Sequence, residues 1–433
     1  MTTEAALLAR EAPAPPAGRK AWARRFQQVR DQTTGLAAPL SAEDQQIQSM
    51  PDVSPTKWHL AHVTWFFETF LLQPALGGYR AFDPAYGYLF NSYYEQVGER
   101  HPRPRRGLLS RPPLADVMAY RAHVDAAIWT LIDTASEAEW ARIGPLVELG
   151  LHHEQQHQEL ILMDIKHVFW SNPMRPAYAP AAPAAPGAAG TAPPPAFADF
   201  EGGLVEIGHD GAGFAFDNEG PRHRIWLEPF RLAARLATCG EYLAFIEDGG
   251  YRRPELWLSD GWAAVQAGGW TAPLYWSCED GACSVFTLSG TRPLDPAEPV
   301  CHLSHYEADA FARWSGARLP TEAEWELASA SAPVDGHLAD RGLFHPRPAD
   351  GPDLTQMIGD LWEWTASPYV AYPRYRPPEG AVGEYNGKFM SGQMVLRGGA
   401  AVTPAGHVRP TYRNFFPPGA RWAFSGVRLA QDA

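Results

Sequence analysis

The chain changes its hydrophobic rhythm near its middle. Around Gly18–Gln32, Leu114–Ala135 and Ala141–Phe169, apolar residues recur at three- and four-residue spacing, the period of an amphipathic helix. A further helix is expected after Ser54-Pro55, with serine as N-cap and proline at the first helical position. Together these segments predict a four-helix bundle. Beyond the middle, short strand-like runs, frequent turns and many Gly and Trp residues replace the long helices. One helix is expected there, Thr321-Glu322-Ala323-Glu324-Trp325-Glu326, opened by a capping box of Thr321 and Glu324. Gly202-Gly203 and Gly398-Gly399 read as turn glycines. From Pro176 through Pro193-Pro194-Pro195 the chain is too rich in proline to continue a helix or a central strand, and reads as a semi-rigid linker. The expected organisation is a frayed arm (1–17), a helical bundle (18–172), a linker (173–197) and an α+β second domain (198–433).

Within the last bundle helix lies Leu151-His152-His153-Glu154-Gln155-Gln156-His157-Gln158-Glu159-Leu160. Residues four apart share a helix face, so His153 and His157 can present two imidazoles to one metal ion. The apolar run from Leu160 to Met163, with Ile165, seats this helix in a core, so the ligands would point into the bundle. A third imidazole is available upstream, in Trp58-His59-Leu60-Ala61-His62. Three neutral histidines leave positions open for substrate and dioxygen, which suits non-haem iron. Two other readings stand beside it. His153-Glu154-Gln155-Gln156-His157 fits the zinc-protease pattern H-E-x-x-H, but its extended form needs Gly and His where Leu160 and Met163 stand. Alternatively, the histidines simply hydrogen-bond within a bundle core.

Composition narrows the function classes. The 433 residues are 45% hydrophobic and 20% charged, ordinary for a globular chain of two or three domains. A net charge of −13 argues against nucleic acid or anionic membranes as main partners. No hydrophobic run near the N-terminus is long enough for a signal peptide, and no span predicts a bilayer crossing. Cysteines occur only at 239, 278, 283 and 301, without a CxxC pair, so a reducing, cytoplasmic setting is expected. Cys278 and Cys283 are close enough to suggest a disulfide or a metal site, but small buried thiols are the expected state.

Several segments together resemble the iron-dependent sulfoxide synthases of ergothioneine biosynthesis and their selenoneine synthase relatives. Trp58-His59-Leu60-Ala61-His62, Phe90-Asn91-Ser92-Tyr93-Tyr94-Glu95 and His153–Glu159 resemble that family's DinB-like helical bundle. Arg318–Trp325, Gly359–Thr365, Leu396–Gly399 and Phe424–Leu429 resemble the formylglycine-generating-enzyme fold, a C-type-lectin-like domain. The resemblance implies Fe(2+) on His62, His153 and His157, and oxidative joining of a sulfur or selenium donor to C2 of the imidazole of hercynine (Nα-trimethylhistidine), with dioxygen. It further implies that Phe415 or Phe416 faces the trimethylammonium, that Asn414 meets the carboxylate and that Gln156 steadies the substrate imidazole. Tyr93 and Tyr94 match a tyrosine pair that one branch uses as a proton source, steering the reaction away from simple thiol dioxygenation. Arg103 and Arg106 match arginines that meet the donor carboxylate in sulfur-transferring members. Where relatives carry charged or amide groups for the donor, this chain has Phe416, Gly419, Ala420 and Ala423. Without acids to pair a donor ammonium, an uncharged selenosugar is the expected donor, with cysteine or γ-glutamylcysteine as the alternative. Two other classes remain: formylglycine-type cysteine oxidation, which needs a paired-cysteine copper site near the chain's end although no cysteine follows Cys301, and a lectin-like binding module without catalysis.

Overall fold

Apolar faces at helical spacing produce helices Arg19–Ala37, Thr56–Phe67, Leu114–Thr134 and Glu137–Ser171 in the computed structural model. The structure describes residues 18–179, 195–279, 281–330, 332–333, 336–351 and 353–433. The expected arm and residues 180–194 of the expected linker lie outside the described residues. The chain divides into two compact units; the helices lie in one, which also includes Pro377–Gly387 from much later in the sequence. The other holds the described residues from 195 to 376 and from 388 to 433.

In the helical unit, Trp22 and Phe26, Trp65 and Phe67, Val117 and Val124, and Val147 and Leu151 form one hydrophobic core. Helix Thr56–Phe67 is buried along its whole length. Such a helix must be apolar all round or have its polar groups paired. Here Lys57 Nζ donates to the Leu109 carbonyl at 2.8 Å, and Thr64 Oγ1 to that of Leu60 at 2.8 Å. The expected serine cap is corrected. The helix opens at Thr56 with Pro55 in the cap position and no side-chain cap. The proline confines Ser54 to extended backbone, and its hydroxyl accepts instead from Arg106 at 2.9 Å. Helix Glu137–Ser171 starts earlier than its apolar rhythm suggests, behind a capping box of Ser136 and Glu139.

The second unit is mixed helix and sheet. Its strands are β1 (Phe197–Phe200), β2 (Gly203–Ile207), β3 (His223–Leu227), β4 (Phe230–Ala233), β5 (Trp276–Glu279), β6 (Ala282–Thr287), β7 (Gly290–Pro293), β8 (Trp362–Pro368), β9 (Met394–Arg397), β10 (Asn414–Phe416), β11 (Ser425–Gly426) and β12 (Ala430–Asp432). They pair in the orders β1-β4-β12, β10-β9-β8-β11, β2-β3 and β5-β6-β7, with β11 parallel to β8. The expected capping box of Thr321 and Glu324 opens helix Glu322–Ser329.

Glu322, Glu363, Arg397 and Arg428 of the hallmark motifs form buried ion pairs in this unit. Arg428 grips Glu363 through Nε and a terminal nitrogen, both at 2.8 Å, and Glu363 also accepts from Trp325 Nε1 at 2.8 Å. Arg413 grips Glu322 at 2.8 and 3.0 Å, and Arg397 pairs with Glu326. Bidentate forks of this kind fix loop geometry as well as charge. Cys278 and Cys283 are not buried thiols: they face one another across β5 and β6 and form a disulfide. Hairpin register, invisible in their five-residue separation alone, brings them together.

Candidate metal centre

Glu137–Ser171 carries His153 and His157 on successive turns, and Thr56–Phe67 supplies His62 from across the bundle. One ring nitrogen from each lies within 4.8 Å of the others, and all three residues are buried. His62 is held as a slab between two indoles: Trp58 stacks on it at 4.6 Å and Trp65 at 5.6 Å, with interplanar angles of 13° and 15°. These are its i−4 and i+3 neighbours, so one helix face builds the stack. The Arg106 guanidinium lies over Trp58, 3.3 Å from the ring centre.

Burial pushes the His153 imidazole down to about 4, and pushes His62 and His157 well below the ordinary range. Each is therefore neutral at pH 7, the form that binds metal. His62 Nδ1 donates to the Phe90 carbonyl at 2.6 Å, leaving Nε2 to serve as a ligand. His153 Nδ1 is buried without a hydrogen-bond partner, an arrangement a metal would relieve. His157 Nδ1 lies 2.8 Å from His59 Nδ1, and His59 Nε2 lies 3.0 Å from Asp164 Oδ2. The donor set thus fits a metal held by three imidazoles.

Glu154 would be the general base of the zinc-protease reading. Instead it is fully buried, accepting from Arg30 at 2.8 Å and Arg121 at 3.1 Å. A carboxylate committed to two buried guanidiniums cannot serve as that base.

The two tyrosines differ. Tyr94 is buried against Trp65 and Phe70, with ring separations of 5.6 and 5.0 Å. Burial, reinforced by Tyr385 and Tyr93, raises its phenol far above the ordinary value. Burial also pushes the Tyr93 phenol up, but the guanidiniums of Arg103 and Arg106 outweigh it and leave the group lowered. Arg103 donates to the Tyr93 hydroxyl at 3.3 Å and also to the Asp52 carbonyl. Arg106 donates to the Ser54 and Ser92 hydroxyls at 2.9 and 3.0 Å. Gln156 is half-buried on the turn between the two helix histidines.

Asn414, Phe415 and Phe416 form β10 in the second unit. Phe415 stacks on Tyr369 at 4.1 Å, Phe416 meets Trp422 edge-on at 5.7 Å, and Asn414 Oδ1 accepts from the Phe415 N–H at 2.9 Å. Neighbours on a strand point to opposite faces, so the two phenylalanines do not share one.

Tyr385 escaped the sequence reading. It sits in the helical unit with its ring 6.4 Å from His153 and 6.2 Å from Tyr93. It lies in a short turn of chain far from the histidines in sequence, where no periodicity marks it. His59 belongs to the Trp58–His62 segment that offers a third imidazole, and no local pattern marks Asp164.

Residues 25–161 match the DinB superfamily, and residues 184–345 and 342–433 match the Sulfatase-modifying factor enzyme 1-like domain. The chain is similar to the formylglycine-generating enzyme of Streptomyces coelicolor, at 27% identity over 52% of this chain and 84% of that one. It is also similar to the hercynine oxygenase of Mycolicibacterium thermoresistibile, 34% identical over 88% of both chains. The hercynine oxygenase of Mycobacterium tuberculosis is likewise 34% identical, over 88% of this chain and 92% of that one. A helical domain followed by a sulfatase-modifying-factor-like domain, with identity sustained along nearly the whole length, places this chain in the hercynine oxygenase family.

Proposed function

We propose that this protein is a non-haem iron(II) enzyme that uses dioxygen to form a carbon–selenium or carbon–sulfur bond at imidazole C2 of hercynine. The favoured donor is a selenosugar, giving a selenoxide; the alternative is a thiol, cysteine or γ-glutamylcysteine. The observation that carries the reading is the buried group His62, His153 and His157 in a chain of this family. Bound there, iron(II) would supply the activation of dioxygen that such a coupling requires. The protein's own contributions are distinct. Gln156 positions the substrate imidazole, Asn414 meets the carboxylate, and one of Phe415 and Phe416 gives the trimethylammonium an aromatic face. Among the described residues no helix is long and apolar enough to cross a membrane. A cytoplasmic setting is proposed from the scarcity of cysteines, against which the Cys278–Cys283 disulfide stands as the contrary observation.

The donor assignment rests on what the side chains leave available. The terminal nitrogens of Arg106 already serve Ser54 and Ser92, and those of Arg103 serve Tyr93 and Asp52. Arg103 Nε and Arg106 Nε are buried without a partner, so these arginines could still meet a carboxylate. The preference for a sugar comes from the absence of acids at Phe416, Gly419, Ala420 and Ala423, since hydroxyls need only modest partners or ordered water. A selenol is also ionised at neutral pH without help. The test incubates the iron(II)-loaded protein aerobically with hercynine, or with histidine as control, and with each donor, following products by mass spectrometry. We expect kcat/KM for 1-seleno-glucose to exceed that for either thiol. A thiol preferred tenfold, about 1.4 kcal/mol of transition-state preference, would make this a sulfur-transferring member.

Tyr93 is the better-placed proton source of the pair, because Arg103 stabilises the phenolate left behind. Tyr93→Phe is expected to lower coupled product and, with a thiol donor, raise oxidation to sulfinic acid. Tyr94→Phe should change the product ratio little, and Tyr385→Phe is the companion variant. Wild-type ratios in Tyr93→Phe would remove Tyr93 from this role.

A further inference from the structure

We propose that His59 and Asp164 form an outer relay that fixes the tautomer of His157 and aims its Nε2 lone pair at the metal. The proposal rests on reading His62, His153 and His157 as one metal site. The direction of every hydrogen bond follows from one end of the chain of contacts. Asp164 Oδ2 accepts from the Ser54 backbone N–H at 2.8 Å, and a backbone amide can only donate. That oxygen is therefore an acceptor, so His59 Nε2, 3.0 Å away, carries its hydrogen and donates to it. A neutral His59 then has a bare Nδ1. It lies 2.8 Å from His157 Nδ1, which must donate across that gap. A neutral His157 protonated at Nδ1 keeps its lone pair on Nε2, the nitrogen left for the metal. At His62 the Phe90 carbonyl enforces the same tautomer directly.

His59 is 2% exposed and Asp164 3%, so no bulk water competes for these hydrogens. The second oxygen of Asp164 is buried without a hydrogen-bond partner, so the hydrogen bonds of this carboxylate run through Oδ2. Partners of this kind commonly set ring orientation and ligand basicity at metal sites. His59 and Asp164 touch neither proposed substrate nor metal, and are positioning residues.

Three substitutions separate this role from simple packing. His59→Phe keeps a ring but removes the link, and Asp164→Ala removes the terminal acceptor. Asp164→Asn is the conservative control. The Ser54 N–H demands an oxygen at the Oδ2 position, so the amide oxygen still accepts from His59 and the tautomers persist. In the full-length metal-free protein labelled with 15N-histidine, long-range 1H–15N spectra should show His157 protonated at Nδ1 and His59 at Nε2, in wild type and Asp164→Asn alike. Chelator competition for Co(II) should show affinity lowered about 10–100-fold in His59→Phe and Asp164→Ala, with Asp164→Asn close to wild type. A wild-type spectrum with His157 protonated at Nε2 overturns the proposal, as does undiminished Co(II) affinity in both disruptive variants. Failure of wild type to bind Co(II) would sink the metal-site reading instead, and the tautomer spectrum would still decide the relay by itself.

Discussion

Replacing His157 with alanine is expected to abolish turnover and empty the metal site while the fold survives. The two remaining imidazoles, His62 and His153, come from different helices and cannot enclose an ion at a site that must also leave positions open for substrate. The fall in metal affinity should exceed the roughly 10–100-fold typical of losing an outer hydrogen-bond partner. The helix carrying His157 is anchored elsewhere, by Val147 and Leu151 in the core and by the buried pairing of Glu154. Circular dichroism and thermal melting should therefore stay near wild type. Elemental analysis of the purified variant and its rate of product formation are the two readouts. A fully active His157→Ala protein would falsify the ligand assignment.

Glu154→Ala should act in the opposite way, on stability first. Its carboxylate joins Arg30 and Arg121, and Arg30 also donates to Asp125 and Thr64. Removing one partner of a buried ion pair leaves charge unpaired away from water, which costs about 3–5 kcal/mol. For a unit of this size the helical transition should fall by on the order of 10 °C. Glu154→Gln keeps the volume and an accepting oxygen and should lose less. Burial pushes the Glu154 carboxyl up, but Arg30 and Arg121 outweigh it and hold the group below its ordinary value. Its stabilising contribution is therefore fully present above the ordinary carboxylate pKa of about 4.3. It is lost as the pH falls through the lower folded value. A Glu154→Ala protein melting at the wild-type temperature would show that the network contributes no net stability.

The same short segment shows how far one-dimensional reading reaches. His153 and His157 stand out because a four-residue spacing on a helix is a local, geometric statement. The role of Glu154, between them, is not local. The pattern H-E-x-x-H is compatible with a catalytic carboxylate, and only its pairing with arginines from two other helices excludes that reading. The serine expected to cap the His62 helix shows the reverse error. A local rule named Ser54 as N-cap, but a distant guanidinium takes its hydroxyl and a distant carboxylate its N–H. Cys278 and Cys283 fall between these cases, since their pairing depends on a hairpin register that the spacing permitted without requiring.

By itself the sequence determined the helical first half, the strand-rich second half and the helix histidines, because each is written in short-range periodicity or in contiguous motifs. Spacing alone left His59 and His62 open, since they sit on one helix three residues apart, and the family resemblance singled out His62. The tertiary structure groups its ring with those of His153 and His157. It also brought Tyr385 into the helical unit, and placed Asp164, His59 and His157 in one line of hydrogen bonds. Those contacts join residues about a hundred positions apart in the chain. They arise from the way whole helices pack, and no short window of sequence encodes that packing.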